Sequence, residues 1–167
     1  MTTFKNKPSD MDKDQFIESF GGIYEHSSWV AVQAWGAGVS DDRRELASIM
    51  AGIVNSAGHQ KKLDLINAHP DLAGKAAVQG KLTVSSTSEQ TSAGLGECTV
   101  EEFENFQNYN AAYKEKFGFP FIKAVKNSNR HEILSGFENR LGNSADEEFK
   151  TALLEIDKIA AFRLEEL

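Results

Sequence analysis

Apolar residues recur along this chain every three or four positions, which is the spacing of one face of an α-helix. After Ser40, for example, Leu46, Ile49, Met50 and Ile53 stand at i, i+3, i+4 and i+7. Comparable stripes predict helices over residues 10–20, 28–35, 41–54, 59–68, 86–93, 99–117, 128–141 and from 144 to the end of the chain. The pattern therefore predicts an all-α fold with about seven to eight helices.

Hydroxyl residues mark where several of these helices should begin. The spacing Ser/Thr-x-x-Glu is typical of a capping box, in which both side chains satisfy backbone N–H groups at the helix start. It occurs at Ser86–Glu89, Thr99–Glu102 and Ser144–Glu147. One stretch breaks the helical period, because Pro120 forces the preceding residue to be extended. With no second strand-like run to pair with, the segment 118–125 is predicted to be a buried extended connection between helices.

Length and composition favour one globular domain. The chain has 167 residues, of which 40% are hydrophobic, and a domain usually has about 100–200 residues. We expect a single domain over 1–167, with 1–9 frayed. No apolar run approaches the roughly 18 residues of a transmembrane helix, and the polar N-terminus lacks the apolar core of a signal peptide. The expected location is the cytoplasm, with no membrane partner.

Charge narrows the class of partner. The net charge of −7 and the pI near 5.1 argue against a nucleic-acid partner, which requires a basic surface. They favour a small molecule or a protein. The single cysteine, Cys98, cannot form an internal disulfide, which fits a reducing compartment. Glu97 beside it opposes formation of the reactive thiolate, so Cys98 is a weak candidate for a nucleophile.

His69 is the first candidate for chemistry in a chain with four histidines. Pro70 disfavours the α conformation at His69, so the preceding helix should end there and the backbone beside the imidazole is restricted. Histidine exchanges a proton near neutral pH, which suits a general acid or base. The alternative is a histidine that only caps the end of a helix, and the residues alone slightly favour that alternative.

Glu89 and Arg163 are further candidates, each with a structural alternative. Glu89 and Gln90 end a hydroxyl-rich stretch at a helix start, where free N–H groups suit an anionic or polar ligand; equally, Glu89 completes a capping box. Arg163 stands seven residues after Ile156 on an apolar stripe, so its guanidinium would face inward and bind a carboxylate, carbonyl or ureido oxygen. Alternatively, Arg163 points to solvent near the helix end.

Other kinds of site have little support. His26, His59 and His131 lack acidic partners at metal-ligand spacing, and His-x-x-x-His is absent, so we expect no metal site. The glycine motifs of dinucleotide and nucleotide sites and the motif Gly-x-Ser-x-Gly are also absent. The aromatic face formed by Phe103, Phe106, Tyr109, Asn110, Tyr113 and Phe117 is predicted to be core.

Five short motifs follow one another in one order along the chain. They are His69-Pro70-Asp71-Leu72-Ala73-Gly74-Lys75, Ser86-x-x-Glu89-Gln90-x-x-Ala93-Gly94-Leu95, Tyr113-x-x-Lys116-Phe117-Gly118-Phe119-Pro120-Phe121, Glu138-x-Arg140-Leu141-x-Asn143 and Ile159-Ala160-x-x-Arg163-Leu164. Each motif is weak alone, but the ordered set is specific. The chain resembles the 2-oxo-4-hydroxy-4-carboxy-5-ureidoimidazoline (OHCU) decarboxylase family over nearly its whole length, most clearly from 63 to 164.

The resemblance implies an all-α, homodimeric carboxy-lyase that needs no cofactor. It implies conversion of this ureidoimidazoline to (S)-allantoin and CO2, the last step from urate to allantoin. His69 would donate a proton, Glu89 would be its partner in the site, and Arg163 would hold the substrate. The other residues implied to line the pocket are Pro70, Ser86, Thr87, Ser88, Gln90, Phe121, Ile122, Lys123, Ala124 and Val125. Lys123 departs from the hydrophobic run that the family often has there.

Two other functions remain open from the residues themselves. One is a related enzyme of ureide or purine breakdown that acts on another ureido acid. The other is a helical interaction module without enzymatic activity, in which His69 is only a helix-end residue. Convergence of His69, Glu89 and Arg163 in one cavity would favour an enzyme.

Overall fold

The computed structural model describes residues 2–74, 77 and 79–167. Within these residues the chain forms α-helices and short 3₁₀-helices but no β-sheet, which confirms the all-α prediction. No helix in this part of the chain is both long and apolar enough to cross a lipid bilayer. The helices are α1 (Lys13–Phe20), α2 (Trp29–Ala37), α3 (Arg43–Ser56), α4 (His59–Asn67), α5 (Val84–Ser92), α6 (Val100–Phe117), α7 (Arg130–Arg140) and α8 (Ala145–Glu165), with 3₁₀-helices at Pro8–Asp10 and Leu95–Glu97.

The chain divides into two compact units. The first contains the residues up to Ala68 together with Ile156–Leu167, and the second runs from His69 to Glu155. Helix α8 therefore supplies residues to both units.

Aromatic rings and one face of α3 form the core of the first unit. Phe16 and Phe20 of α1 stack with their ring centres 4.7 Å apart, and Phe4 meets Phe20 edge-on. The buried stripe of α3 is Leu46, Met50 and Val54. Ile49 and Ile53, predicted on the same face, are only half-buried and line a groove against α2.

Residues near the start of the first unit contact the segment just before α3. Thr3 forms an isolated β-bridge with Asp42, and the N–H of Phe4 donates to the carbonyl of Asp41 at 3.0 Å. The Phe4 side chain is buried. Burial of Phe4 and these backbone contacts thus hold a segment whose other residues are mostly polar and exposed.

Helix starts match the sequence at two of the three predicted capping boxes. Thr99–Glu102 and Ser144–Glu147 each form both expected hydrogen bonds. Helix α5 instead begins after Thr83, whose hydroxyl accepts from the N–H of Ser86 at 3.2 Å. Ser86 is therefore the third residue of the helix and not its cap, because Thr83 offers a capping hydroxyl three residues earlier.

The extended segment predicted at 118–125 is confirmed and lies in the core of the second unit. It begins at Gly118, whose φ of 79° ends α6 in the left-handed region that favours glycine. The ring of Phe121 then stacks on Phe137 of α7 with 3.9 Å between ring centres. Aromatic packing thus replaces the β-pairing that this apolar run lacks.

A buried polar network fastens the same segment. Arg140 of α7 donates from Nε to Glu148 of α8 at 2.7 Å and from Nη1 to the carbonyl of Ile122. Glu148 also accepts from the hydroxyl of Tyr113 at 2.6 Å and from the amide of Asn143 at 3.0 Å. The fourth sequence motif, which contains Arg140 and Asn143, therefore holds the extended segment in place.

Candidate active site

His69 lies just beyond the end of α4, as Pro70 predicts. The helix ends at Asn67, and the N–H of Ala68 closes its last turn on the carbonyl of Asp64 at 2.9 Å. His69 is only 8% exposed. His69 is thus buried, and it is the first residue of a loop, His69–Gly74, that we call the histidine loop.

The histidine loop contains a tight turn whose backbone conformation restricts which residues can occupy it. Ala73 has a φ of 50°, in the left-handed region that residues with a Cβ seldom adopt. A Cβ added at Gly74 would lie 2.7 Å from the Cβ of Asp71. The glycine of the first motif therefore has a steric reason, because the chain folds back on Asp71 at this point.

Gln90 of α5 binds the histidine loop through both ends of its amide. Its Oε1 accepts from the N–H of Ala73 at 3.1 Å, and its Nε2 donates to the carbonyl of Asp71 at 3.3 Å. The Asp71 carboxylate also accepts a hydrogen bond from the ammonium of Lys114. Gln90 is buried, so it acts in this structure as a support for the loop.

Two amides of α6 complete this support. Gln107 donates from Nε2 to the carbonyl of Ala73 at 2.8 Å, and Asn110 donates from Nδ2 to the carbonyl of Leu72 at 2.9 Å. With Gln90 they form what we call the amide clamp: three side chains that bind four backbone groups of residues 71–73. These side chains pair with backbone groups that would be paired with other backbone groups in a helix or sheet.

The predicted residues 86–90 lie within helix α5 and not at its free N-terminal end. Because the helix starts after Thr83, the N–H of Thr87 already donates to the carbonyl of Thr83 at 2.9 Å. The free N–H groups expected at 86–90 thus belong to an earlier turn. Ser86 is buried, Glu89 is half-buried, and Thr87 and Ser88 are exposed.

A cavity of about 570 Å³ lies on one side of α5 in the second unit. Its wall includes Thr87 and Gln90 of α5 and the apolar side chains Leu82, Leu95 and Phe103. Among the described residues that line it, neither His69 nor Glu89 appears. Ala73 of the histidine loop also lines this cavity.

The extended segment exposes only part of the predicted stretch 121–125. Phe121, Ile122 and Val125 are buried, and Lys123 and Ala124 are half-buried. Residues 123 and 124 are thus the members of this stretch whose side chains reach towards solvent.

Arg163 is buried in the first unit, so of the two alternatives the inward-facing one is confirmed. It is 6% exposed. Its Nη2 donates to the carboxylate of Glu25 at 2.8 Å, and its Nη1 donates to the carbonyls of Gly22 and Ile23 at 3.3 Å each. Glu25 is itself buried, so the pair is a charge-assisted contact away from water.

Cys98 behaves as a structural thiol. Burial raises its pKa, and the carboxylate of Glu102 raises the pKa further, so the reactive thiolate is disfavoured. The described part of the chain holds no group of three or more His, Cys, Asp or Glu residues arranged to bind a metal ion.

Comparison with known proteins assigns the family. A sequence profile of OHCU decarboxylase matches residues 9–165. The chain belongs to the OHCU decarboxylase family. The matched range spans the positions of all five ordered motifs.

Named relatives align over most of this OHCU decarboxylase chain. The 2-oxo-4-hydroxy-4-carboxy-5-ureidoimidazoline decarboxylases of Halalkalicoccus jeotgali and Haloferax volcanii are each 42% identical to it over 156 residues. These alignments cover 93% of this chain and 86% and 90% of the two relatives. The Mus musculus protein of that name is 32% identical over 161 residues, which cover 96% of this chain and 90% of the mouse protein.

Two solved structures share the fold. The crystal structure of (S)-allantoin synthase has a TM-score of 0.74 and 32% identity, covering 94% of this chain. This chain spans about half of that one, 51%. An OHCU decarboxylase crystallised in the presence of (S)-allantoin has a TM-score of 0.73 and 23% identity, covering 89% of this chain and 96% of the other. At that identity the second likeness concerns the fold alone.

Apart from Gln90, the residues that support the predicted site residues were not predicted from the sequence as site residues. Gln107, Asn110 and Lys114 hold the histidine loop, and Glu25 binds Arg163. Asn110 carried a detectable signal, because it is a polar residue on the aromatic face of α6. Glu25 carried none, since it lies 138 positions from Arg163.

Proposed function

We propose that this chain catalyses the decarboxylation of 2-oxo-4-hydroxy-4-carboxy-5-ureidoimidazoline to (S)-allantoin and CO2, the last step of urate degradation. The observation that carries the proposal is the family match over residues 9–165, together with relatives of this name that align over nine-tenths of the chain. The protein is thus a carboxy-lyase that acts on a small ureidoimidazoline.

The reaction suits amino-acid side chains. The substrate carboxylate is attached to a carbon beside a ring C=N carbon, so the bonding electrons can move into that C=N as CO2 leaves. A proton must then reach one face of the neighbouring carbon, which sets the (S) configuration. The enzyme therefore needs stabilisation of developing negative charge and one aimed proton donor. We propose that the reaction proceeds without a cofactor or metal, because the C=N group itself accepts the electrons.

Each predicted catalytic residue has a proposed role. His69 delivers the proton, and its burial and the restricted backbone at Pro70 support that role. Glu89, a half-buried residue of α5, is proposed to be the partner of His69 in the site. Arg163 is proposed to bind the substrate through its guanidinium, which the hydrogen bond to Glu25 orients.

The remaining substrate contacts stay proposals as well. They comprise Pro70, Ser86, Thr87, Ser88, Gln90, Phe121, Ile122, Lys123, Ala124 and Val125. Gln90 already uses both ends of its amide on the histidine loop, so its proposed contribution is support as well as contact. We further propose that the enzyme is a cytoplasmic homodimer, as the family resemblance implies. Analytical ultracentrifugation tests the assembly: sedimentation as one 18.4 kDa chain would refute it.

The test follows optical activity while urate is oxidised and hydrolysed by the two preceding enzymes. The intermediate also decays spontaneously to allantoin, but without stereochemical control. With this protein present, (S)-allantoin should appear faster and in excess. A rate and an optical signal equal to those of the spontaneous reaction would refute the proposed function.

Substitutions assign the chemistry to named residues. His69→Ala and Glu89→Ala should each lose most of the activity, at least about a hundredfold for the proton donor, while circular dichroism shows an unchanged helical content. His131→Ala and Glu104→Ala are matched controls because both residues are exposed. If His69→Ala retained the activity of His131→Ala, the role of His69 would be wrong.

A further inference from the structure

We propose that Gln107 and Asn110 of α6, acting with Gln90, are positioning residues that orient His69 for proton transfer. The inference rests on the proposed function, because it assigns the amide clamp to the proton donor of that reaction. None of these side chains needs to touch the substrate for this role.

The amide clamp supplies hydrogen bonds to buried backbone groups of the histidine loop. Leu72 and Ala73 are buried, at 7% and 3% exposed, and a buried backbone group without a partner destabilises the fold. The carbonyls of Leu72 and Ala73 receive their hydrogen bonds from Asn110 and Gln107. Loss of either donor should therefore move the loop, since the carbonyl must find another partner.

Helix α6 is a rigid support for two side chains of the amide clamp. Gln107 and Asn110 are three residues apart, so they lie on the same face of one helix. That helix, α6, runs from Val100 to Phe117 and buries Phe106 and Tyr113 in the core of the second unit. A well-packed helix defines the position of its side chains better than a loop does, so the clamp gives the histidine loop a fixed reference.

A displacement of the histidine loop would also move His69. Pro70 joins the clamped residue Asp71 to His69, and its ring fixes one of the torsions between them. Asp71 is held at its carbonyl by Gln90 and at its carboxylate by Lys114. Few free torsions therefore separate the clamp from the imidazole. A misplacement of about 1 Å can lower a rate by about a hundredfold.

The decisive variants exchange a donor for an acceptor at nearly constant size. Gln107→Glu and Asn110→Asp each place a carboxylate oxygen against a loop carbonyl in place of the N–H group. Asn108→Asp is the matched control, because it makes the same change of charge on the same helix at an exposed residue.

We expect kcat to fall at least about tenfold in both clamp variants, with KM within about twofold of the wild-type value. Asn108→Asp should behave as the wild type, and all three should keep the wild-type helical content. A split of this kind distinguishes misorientation of the proton donor from a loss of substrate binding. If Asn110→Asp fails to fold, Gln107→Glu decides, since Gln107 is only half-buried.

A second readout does not depend on activity. Imidazole NMR signals of the four histidines can be assigned with His69→Ala, and the His69 signal should shift in both clamp variants while those of His26, His59 and His131 stay in place. An unmoved His69 signal overturns the inference, as does an unchanged kcat in an active enzyme. If the wild-type chain is inactive, the proposed function fails, and the NMR result alone decides whether the clamp positions His69.

Discussion

Arg163 and Glu25 illustrate how one buried charge requires another. The guanidinium of Arg163 lies on the apolar face of α8, and the carboxylate of Glu25 is 2.8 Å from it in the first unit. Two backbone carbonyls accept further hydrogen bonds from Arg163. This arrangement orients the guanidinium, but it also makes stability depend on the carboxylate.

Glu25→Ala should therefore destabilise the protein strongly. Removing one partner of a buried ion pair costs about 3–5 kcal/mol, because the other charge stays buried. We expect urea unfolding to report a loss of about 3 kcal/mol. Glu18→Ala on α1 is the control, since Glu18 is exposed. Equal free energies of unfolding for the two variants would show that the pair contributes nothing.

At the residue scale, the motif residues were predictable, including Gln90 of the amide clamp, but Gln107 and the partner of Arg163 were not. His69 and Arg163 were identifiable because local context restricts them: a following proline and an apolar stripe. The partner of Arg163 was not, because a contact across 138 positions leaves no local spacing to read. Gln107 likewise has no local sequence feature that distinguishes it from other polar helix residues. Only its contact with the histidine loop identifies it.

Helices were predictable as elements because their periodicity is local, whereas their first residues were less so. Ser86 was expected to cap a helix, but Thr83 does so, and the helix predicted to begin at residue 128 is capped by Asn129. Several capping residues stand close together at both places, and each can accept a hydrogen bond from the first turn. The local rule therefore limits the helix start to a few residues without choosing one of them.

The start of α5 can be tested by alanine substitution. Thr83→Ala removes the hydroxyl that accepts from the N–H of Ser86, so we expect a loss of about 1 kcal/mol in the free energy of unfolding. Ser88→Ala, at an exposed position inside the helix, should leave stability unchanged or slightly raised, because alanine favours helix. A free energy of unfolding for Thr83→Ala equal to that of the wild type would contradict the cap at Thr83.

At the scale of the whole molecule, the all-α class followed from the sequence, while the grouping of helices did not. Helix periodicity indicates which side of each helix is buried, but not which helix covers it. The structure groups the chain into two compact units, with α8 supplying both, and the expectation of one domain over 1–167 stays a prediction. The ordered motifs identified candidate catalytic residues because their order is typical of one family. They did not predict where a pocket lies.

Ionisable groups in this acidic protein act on its stability in opposite directions as pH changes. Hydrogen bonds from Ser9 lower the pKa of Asp41, and those from Thr99 and Arg130 lower the pKa of Glu102. A lowered pKa stabilises the fold above the unfolded value of about 4, and this contribution is lost as pH falls through the folded pKa. Asp157 acts the other way, because burial raises its pKa although Tyr24 donates to it.

Asp157→Asn should therefore alter the pH dependence of stability in a predictable direction. The raised pKa means that the folded state binds the proton more tightly, so Asp157 favours folding below its unfolded pKa of about 3.9, and this contribution is lost as pH rises through the folded value. Asparagine cannot ionise, and its amide oxygen can still accept from the hydroxyl of Tyr24. The stability of the variant relative to the wild type should thus rise between pH 4 and pH 7 in thermal melts. Asp14→Asn, which removes a favourable charge from the first turn of α1, should show no such rise, and a flat or falling difference for Asp157→Asn would contradict the raised pKa.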